Sequence, residues 1–164
     1  MKGRRSLDPS ITVMNLLQMI RPGRRRQVAA TEEVLAELTA LRNRMPHVTG
    51  SLVATVDGLL VGHDTDDVQP ESVAAMSAAQ LGLGQQLARG AARGEFLETI
   101  TRADSGYVAV FAAGSRGLLT VMASAEANLG RLHHEARPVA ARIGLLLAPT
   151  SARHAANTKS GRGL

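Results

Sequence analysis

Few residues in this chain have the types and spacing for chemistry. His63-Asp64-Thr65-Asp66-Asp67 gathers one imidazole and three carboxylates within five positions. These are donors a divalent cation would take, but the run lacks the glycine and the distal glutamate that shape a calcium loop. It reads as a solvated acidic loop. His133 and His134 are adjacent. On a helix, neighbouring side chains diverge by about 100°, so the two cannot chelate one ion. Arg116, between Ser115 and Gly117, stands where a turn would project it. An arginine finger acts from such a position on a phosphoryl group in another protein, and a single arginine at a turn is thin support for that role. The absence of cysteine excludes a thiol nucleophile, a disulfide and a cysteine metal site. Gly82, Gly84, Gly90 and Gly94 fall in or after a helical stretch rather than between a strand and a helix, so they fail the context of a dinucleotide loop. Gly114-Ser115-Arg116-Gly117 joins two strands and is not a nucleophile elbow. No catalytic, cofactor-binding or metal-ligating residue is assigned. The reading is a non-enzymatic interaction module.

The elements that carry these residues follow from local pattern. Asp57-Gly58 separates two apolar runs, Ser51–Val56 and Leu59–Gly62, which predicts an antiparallel hairpin with a type I′ turn. A helix precedes it. Thr31 is the expected cap, with Glu32 and Glu33 in the first turn, Val34, Leu35, Leu38 and Leu41 on one apolar face, and Met45-Pro46 at the end. Pro70-Glu71-Ser72 opens a second helix, expected to run to about Ala92. Its stripe of Val73, Met76, Leu83 and Leu87 is read as the face on the sheet. Its small face, Ala74, Ala75, Ala78, Gly82 and Ala88, is read as the face for a partner, the alternative being a close crossing of the protein's own sheet. Gly82 and Gly84 each cost a helix about 1 kcal/mol relative to alanine, so a close backbone approach is expected there.

Phe96–Arg102, Tyr107–Ala112 and Leu118–Ser124 read as three strands joined by short turns. Asn128 then caps a last helix whose 3/4 spacing runs through Leu129, Leu132, Ala136, Val139, Ile143 and Leu146. Pro138 lies inside it, as the site of an expected kink, and Pro149 ends it. The order helix, strand, strand, helix, three strands, helix predicts an α+β fold with a five-stranded antiparallel sheet covered by three helices. Pattern alone does not order the strands across the sheet.

Composition limits the partners. The chain has 164 residues, 45% hydrophobic and 2% aromatic. That suits one domain with a core of Leu, Val, Ile and Ala, and leaves almost nothing for stacking bases. The net charge of +5 is unevenly placed. Residues 1–27 hold seven Lys and Arg against one Asp, and residues 150–164 hold three cations, so the body between them is mildly acidic. A nucleic-acid-binding domain would carry its positive patch on the folded body. Residues 1–27 are read as a basic flexible leader, in which Ile11, Met14, Leu17 and Ile20 can form a short amphipathic turn stopped by Pro22-Gly23. Residues 28–149 are the domain, and 150–164 a basic flexible tail. The tails offer a second reading, contact with nucleic acid or an anionic membrane, with the domain serving as a dimerisation platform. No apolar run approaches the ~20 residues of a spanning helix and no cleavage site follows Ile11–Ile20, so a cytoplasmic location is expected.

The ordered set of motifs resembles the roadblock/dynein-light-chain family. The matching stretches are Gly50–Val56 with Asp57-Gly58-Leu59-Leu60-Val61, Ser105–Val110, Gly117–Ala123, and Ala127-Asn128-Leu129-Gly130-Arg131-Leu132 running on to Ala148-Pro149. The Asn-Leu-Gly start of the last helix is similar to bacterial, particularly actinobacterial, members encoded beside small Ras-like GTPases. The resemblance implies a roadblock/profilin-like fold and a homodimer whose second helix and following strand meet at the axis. On this chain the implied interface is Ala74, Ala78, Leu81, Gly82 and Gln85 on the helix, with Phe96, Glu98 and Ile100 on the strand. It also implies a small Ras-like GTPase as partner, in a bacterial signalling system.

Overall fold

The structure, a computed structural model, describes residues 22–149, with side chains from Ala29 onward. The readings made for residues 1–21 and 150–164 lie outside the described residues. In chain order the elements are α1 (Pro22–Arg44), β1 (Val48–Thr55), β2 (Leu60–Asp64), α2 (Pro70–Gly90), β3 (Glu98–Ala103), β4 (Gly106–Ala113), β5 (Gly117–Ser124) and α3 (Leu129–Leu147). The α+β class and element order are those expected.

The five strands form one antiparallel sheet in the order β2-β1-β5-β4-β3. The last strand therefore takes the central place, with Thr120 opposite Leu52 on one side and Val110 on the other. Each face of the sheet buries its own cluster. Leu38, Leu41, Phe111, Leu119, Leu132 and Ile143 lie among the residues packed under α1 and α3. Leu52, Ala54, Val110 and Leu118 meet Ala74 and Leu81 of α2 on the other face. Strands buried on both faces read as near-continuous apolar runs. Gly117–Ala123 is buried at every position, which matches β5's central place.

Three local expectations are corrected. The first helix starts at Pro22, not Thr31. Proline is favoured at a first helical position because its missing N–H would be unpaired there anyway, so Pro22 begins this helix and Arg24–Arg26 lie within it. The hairpin turn is not type I′. That turn needs positive φ at both central residues, and Gly58 has it (φ 84°) while Asp57 does not. Instead Gly58 N–H donates to the Thr55 carbonyl at 2.9 Å, and Leu59 N–H to Thr55 Oγ1 at 3.1 Å. Phe96 precedes β3 instead of opening it.

The last helix is one continuous element with Pro138 inside it. Pro138 is exposed, so the carbonyl it leaves unpaired, that of exposed His134, can take water. Asn128 caps this helix through Oδ1, which accepts from Arg131 N–H at 2.9 Å.

Candidate functional site

The feature of this fold most in need of a partner is the outward face of α2. From Ser72 to Ala88 the helix carries no charged residue. Its inner face is small: Ala74 is fully buried and Leu81 is 2% exposed, while Ser77 takes the Thr120 hydroxyl hydrogen bond at 2.8 Å beneath it. Small residues let the helix come close. The Ala75 backbone lies 3.1 Å from where a Cβ on Gly58 would stand. The large apolar residues point the other way. Met76, Leu83 and Leu87 are 64%, 68% and 74% exposed, and their spacing of seven and four residues puts them on one face.

Ala74 and Ala78 thus face the sheet while Met76, Leu83 and Leu87 face outward, the reverse of the expected assignment, whereas Val73 packs on the sheet as expected. The period was legible but its phase was not, because a helix apolar on both sides has no polar stripe to mark the outside. The uncharged run itself is the sequence signal that marks Met76, Leu83 and Leu87 as more than core.

Beside this face lies one of the two edges of the sheet, β3. Among the described residues β3 pairs only with β4. Gln80 Nε2 donates to Thr101 Oγ1 at 2.7 Å, which ties α2 to β3. The Phe96 ring sits on Gly84, where an added Cβ would fall only 2.3 Å from it. The close approach at Gly84 is thus made by a side chain instead of the expected backbone, and Gly82 has none. Leu97, at the entry to β3, is 70% exposed. An unpaired edge with exposed apolar groups beside it is a template for strand addition.

The eight residues expected at a dimer axis separate into three groups. Ala74 and Leu81 are buried on the protein's own sheet, with Ala78 and Phe96 half-buried against the same cluster. Ile100 packs under the opposite layer and Glu98 is bound by it. Gly82 and Gln85 remain half-exposed on α2, and a Cβ on Gly82 would meet nothing within 4 Å.

Glu98 ties β3 to α3. Arg137 donates to it through two nitrogens at 2.8 and 2.7 Å, and the His133 Nδ1 approaches the same carboxylate at 2.6 Å. The His133 contact lacks the alignment of a hydrogen bond. Hydrogen bonding from Arg137, with the nearby positive charges, holds the Glu98 carboxyl below its usual 4.5 against a smaller opposing cost of burial. The His133 ring also meets Phe111 edge-on, with centroids 6.2 Å apart.

The other chemical candidates do not converge. Asp64 is bound by Arg42 at 2.7 Å, and Thr65 is buried. Among the described residues no three His, Asp or Glu side chains are placed to hold a metal ion. Arg116 is exposed at the β4–β5 turn, where its carbonyl accepts from Val56 N–H at 3.1 Å. No helix among the described residues is long and apolar enough to cross a membrane.

Comparison with known proteins agrees with this architecture. No curated protein sequence matches the chain. Gliding protein MglB from Thermus thermophilus aligns with a TM-score of 0.66 at 17% identity, over 72% of this chain and 90% of that one. MglB from Myxococcus xanthus gives 0.61 at 16%, over 66% and 89%. A Roadblock/LC7 domain from Streptomyces avermitilis gives 0.61 at 26%, over 65% and 91%. A sequence profile of the Roadblock/LC7 domain matches residues 34–123, more than half of the chain and from the first buried residue of α1 through β5. With the hairpin, the three-strand meander and the order of the sheet in agreement, the chain belongs to the Roadblock/LC7 domain family.

Proposed function

We propose that the protein is a non-enzymatic homodimeric adaptor that regulates a small Ras-like GTPase in a bacterial signalling system. The observation that carries this reading is the uncharged outer face of α2 beside the unpaired edge of β3. A twofold axis at that edge would set the two β3 strands side by side, join the sheets, and bring Met76, Leu83, Leu87 and Leu97 of each protomer under cover. One contact would then remove both an exposed apolar patch and an open strand edge. The GTPase side of the proposal comes from the family resemblance, and the solved proteins named MglB share the fold.

The test combines two measurements on the full-length protein. Sedimentation should give a dimer, and Leu83→Glu with Leu87→Glu should give a monomer with an unchanged circular dichroism spectrum, because both residues are exposed in the protomer. A wild-type protein that is monomeric across the accessible concentration range refutes the dimer. Binding is then measured against purified Ras-like GTPases of the same genome, loaded with GDP or a GTP analogue. The wild type should bind one of them in one nucleotide state, and the monomeric variant should bind it more weakly. Absence of binding to every such GTPase refutes the adaptor reading.

A further inference from the structure

We propose that the β2 edge of the sheet is a docking strand for an extended, basic segment of another protein. β2 is the edge opposite β3, and among the described residues it pairs only with β1. The proposed dimer occupies β3, so each protomer would still present β2. The site does not depend on that dimer.

Three observations define the occupant. The first is the backbone. Alternate N–H and C=O groups of an edge strand point away from its single neighbour and can pair with one more strand. Such edges are commonly guarded by lysine or proline. Residues 57–69 contain neither. A bulge at Val61 bends the start of β2. Beyond it Gly62, His63 and Asp64 keep regular register with Val53, Leu52 and Ser51.

The second is apolar contact. α1 runs beside β2, with Leu35 at Gly62 and Arg42 bound to Asp64. The Leu35 Cδ2 lies 3.4 Å from where a Cβ on Gly62 would stand, and Leu35 is 39% exposed. An aliphatic side chain on a strand added beside Gly62 would cover it. Leu59, 68% exposed, leaves a further apolar group just before the strand.

The third is charge. Residues 57–69 hold Asp57, Asp64, Asp66 and Asp67 and no Lys or Arg. Arg42 neutralises Asp64, whereas Asp57, Asp66 and Asp67 are exposed and have no ion pair among the described residues. Carboxylates thus stand at both ends of the strand, and the fitting occupant carries Lys or Arg at both of its own. A second copy of β2 would set aspartates against aspartates, and like charges placed opposite each other destabilise a strand pair.

The test uses the full-length protein and the synthetic peptide Lys-Val-Lys-Val-Lys-Val, capped at both ends. Saturating peptide should slow exchange of the outward-facing amides in residues 60–64 about tenfold and leave β3 unchanged. Methylating alternate backbone nitrogens of the peptide removes the pairing donors and should weaken binding about tenfold. Asp66→Asn with Asp67→Asn, both exposed, should weaken it about threefold. Unchanged exchange at β2 in millimolar peptide would overturn the proposal. Equal binding of the methylated peptide would also overturn it, because attraction would then act without strand pairing. So would outward-facing amides already protected in the protein alone. Protection that survives hundredfold dilution would assign the edge to the protein's own chain, and protection lost on dilution would assign it to a second copy.

Discussion

On one face of the sheet, α1 and α3 are laced together by charge. Arg142 and Glu37 form a bidentate pair at 2.8 Å, Arg44 binds Glu135 at 2.9 Å, and Arg131 reaches the Arg44 carbonyl at 2.8 Å. On the other face, α2 is held by alanines, by Leu81 and by two neutral hydrogen bonds, Thr120 to Ser77 and Gln80 to Thr101. The contrast extends outward. The rims of α1 and α3 present charge to water, whereas α2 presents Met76, Leu83 and Leu87. Charged rims suit a layer that stays wet. A helix whose large residues face out and whose small ones face in is suited to being covered.

The sharpest way to break this comparison lies two residues apart on α2. Leu81→Ala should cost 2–5 kcal/mol of protomer stability, roughly the range for an excavated core leucine. Leu83→Ala should leave protomer stability nearly unchanged and weaken the dimer instead. Urea unfolding at a dilution where the dimer has dissociated separates the two, and equal losses would mean that both faces of α2 pack within one protomer.

The next effect concerns the two helix glycines. Gly84→Ala sets a methyl group into the Phe96 ring and should destabilise by about 1–3 kcal/mol through overpacking. Gly82→Ala meets open space and should stabilise the protomer by about 0.5–1 kcal/mol through helix propensity. Thermal melts of the two variants should therefore move in opposite directions.

The smallest effect is on pH. The Glu37 carboxyl is held below its usual 4.5, chiefly by the hydrogen bond from Arg142, and Glu98 likewise by Arg137. A carboxylate with a lowered folded-state pKa contributes stability that is fully present above the unfolded value. That stability is lost as pH falls through the folded value. Acidification below about 4.5 should therefore loosen the α1–α3 layer before α2. Amide exchange in α3 should rise first, and Glu98→Gln should flatten that acid response. Simultaneous loosening of both layers would show that charge does not distinguish them.

These contrasts also mark how much was legible in the sequence. The element order, the Asn128 cap and the hairpin position followed from local chemistry, because caps and turns depend on a few neighbouring residues. The start of α1 did not. Pro22-Gly23 looks like a stop when read from the preceding residues and like a start when read from the following ones, and the helix uses it as a start. The small face of α2 signalled close approach correctly, but not what approaches. A small helix face suits a partner and the protein's own sheet equally well, and the structure places the sheet there. Of the two helix glycines only Gly84 is closely approached, by the Phe96 ring of the same chain, and residue type alone does not tell it from Gly82.

The central place of β5 has a consequence for the order of events as the chain is made. Until residues 117–124 have been synthesised, the sheet exists only as two fragments, the β1–β2 hairpin and the β3–β4 pair, each with an open inner edge. No strand pairing can join them, because β1 and β4 are not neighbours in the sheet. The seam closes only when the last strand enters between them and pairs with β1 across about sixty residues of sequence, a long-range step of the kind that slows folding. A chain stalled before Gly117 would thus hold two unjoined half-sheets with apolar faces bare, the state in which a nascent protein most needs a chaperone.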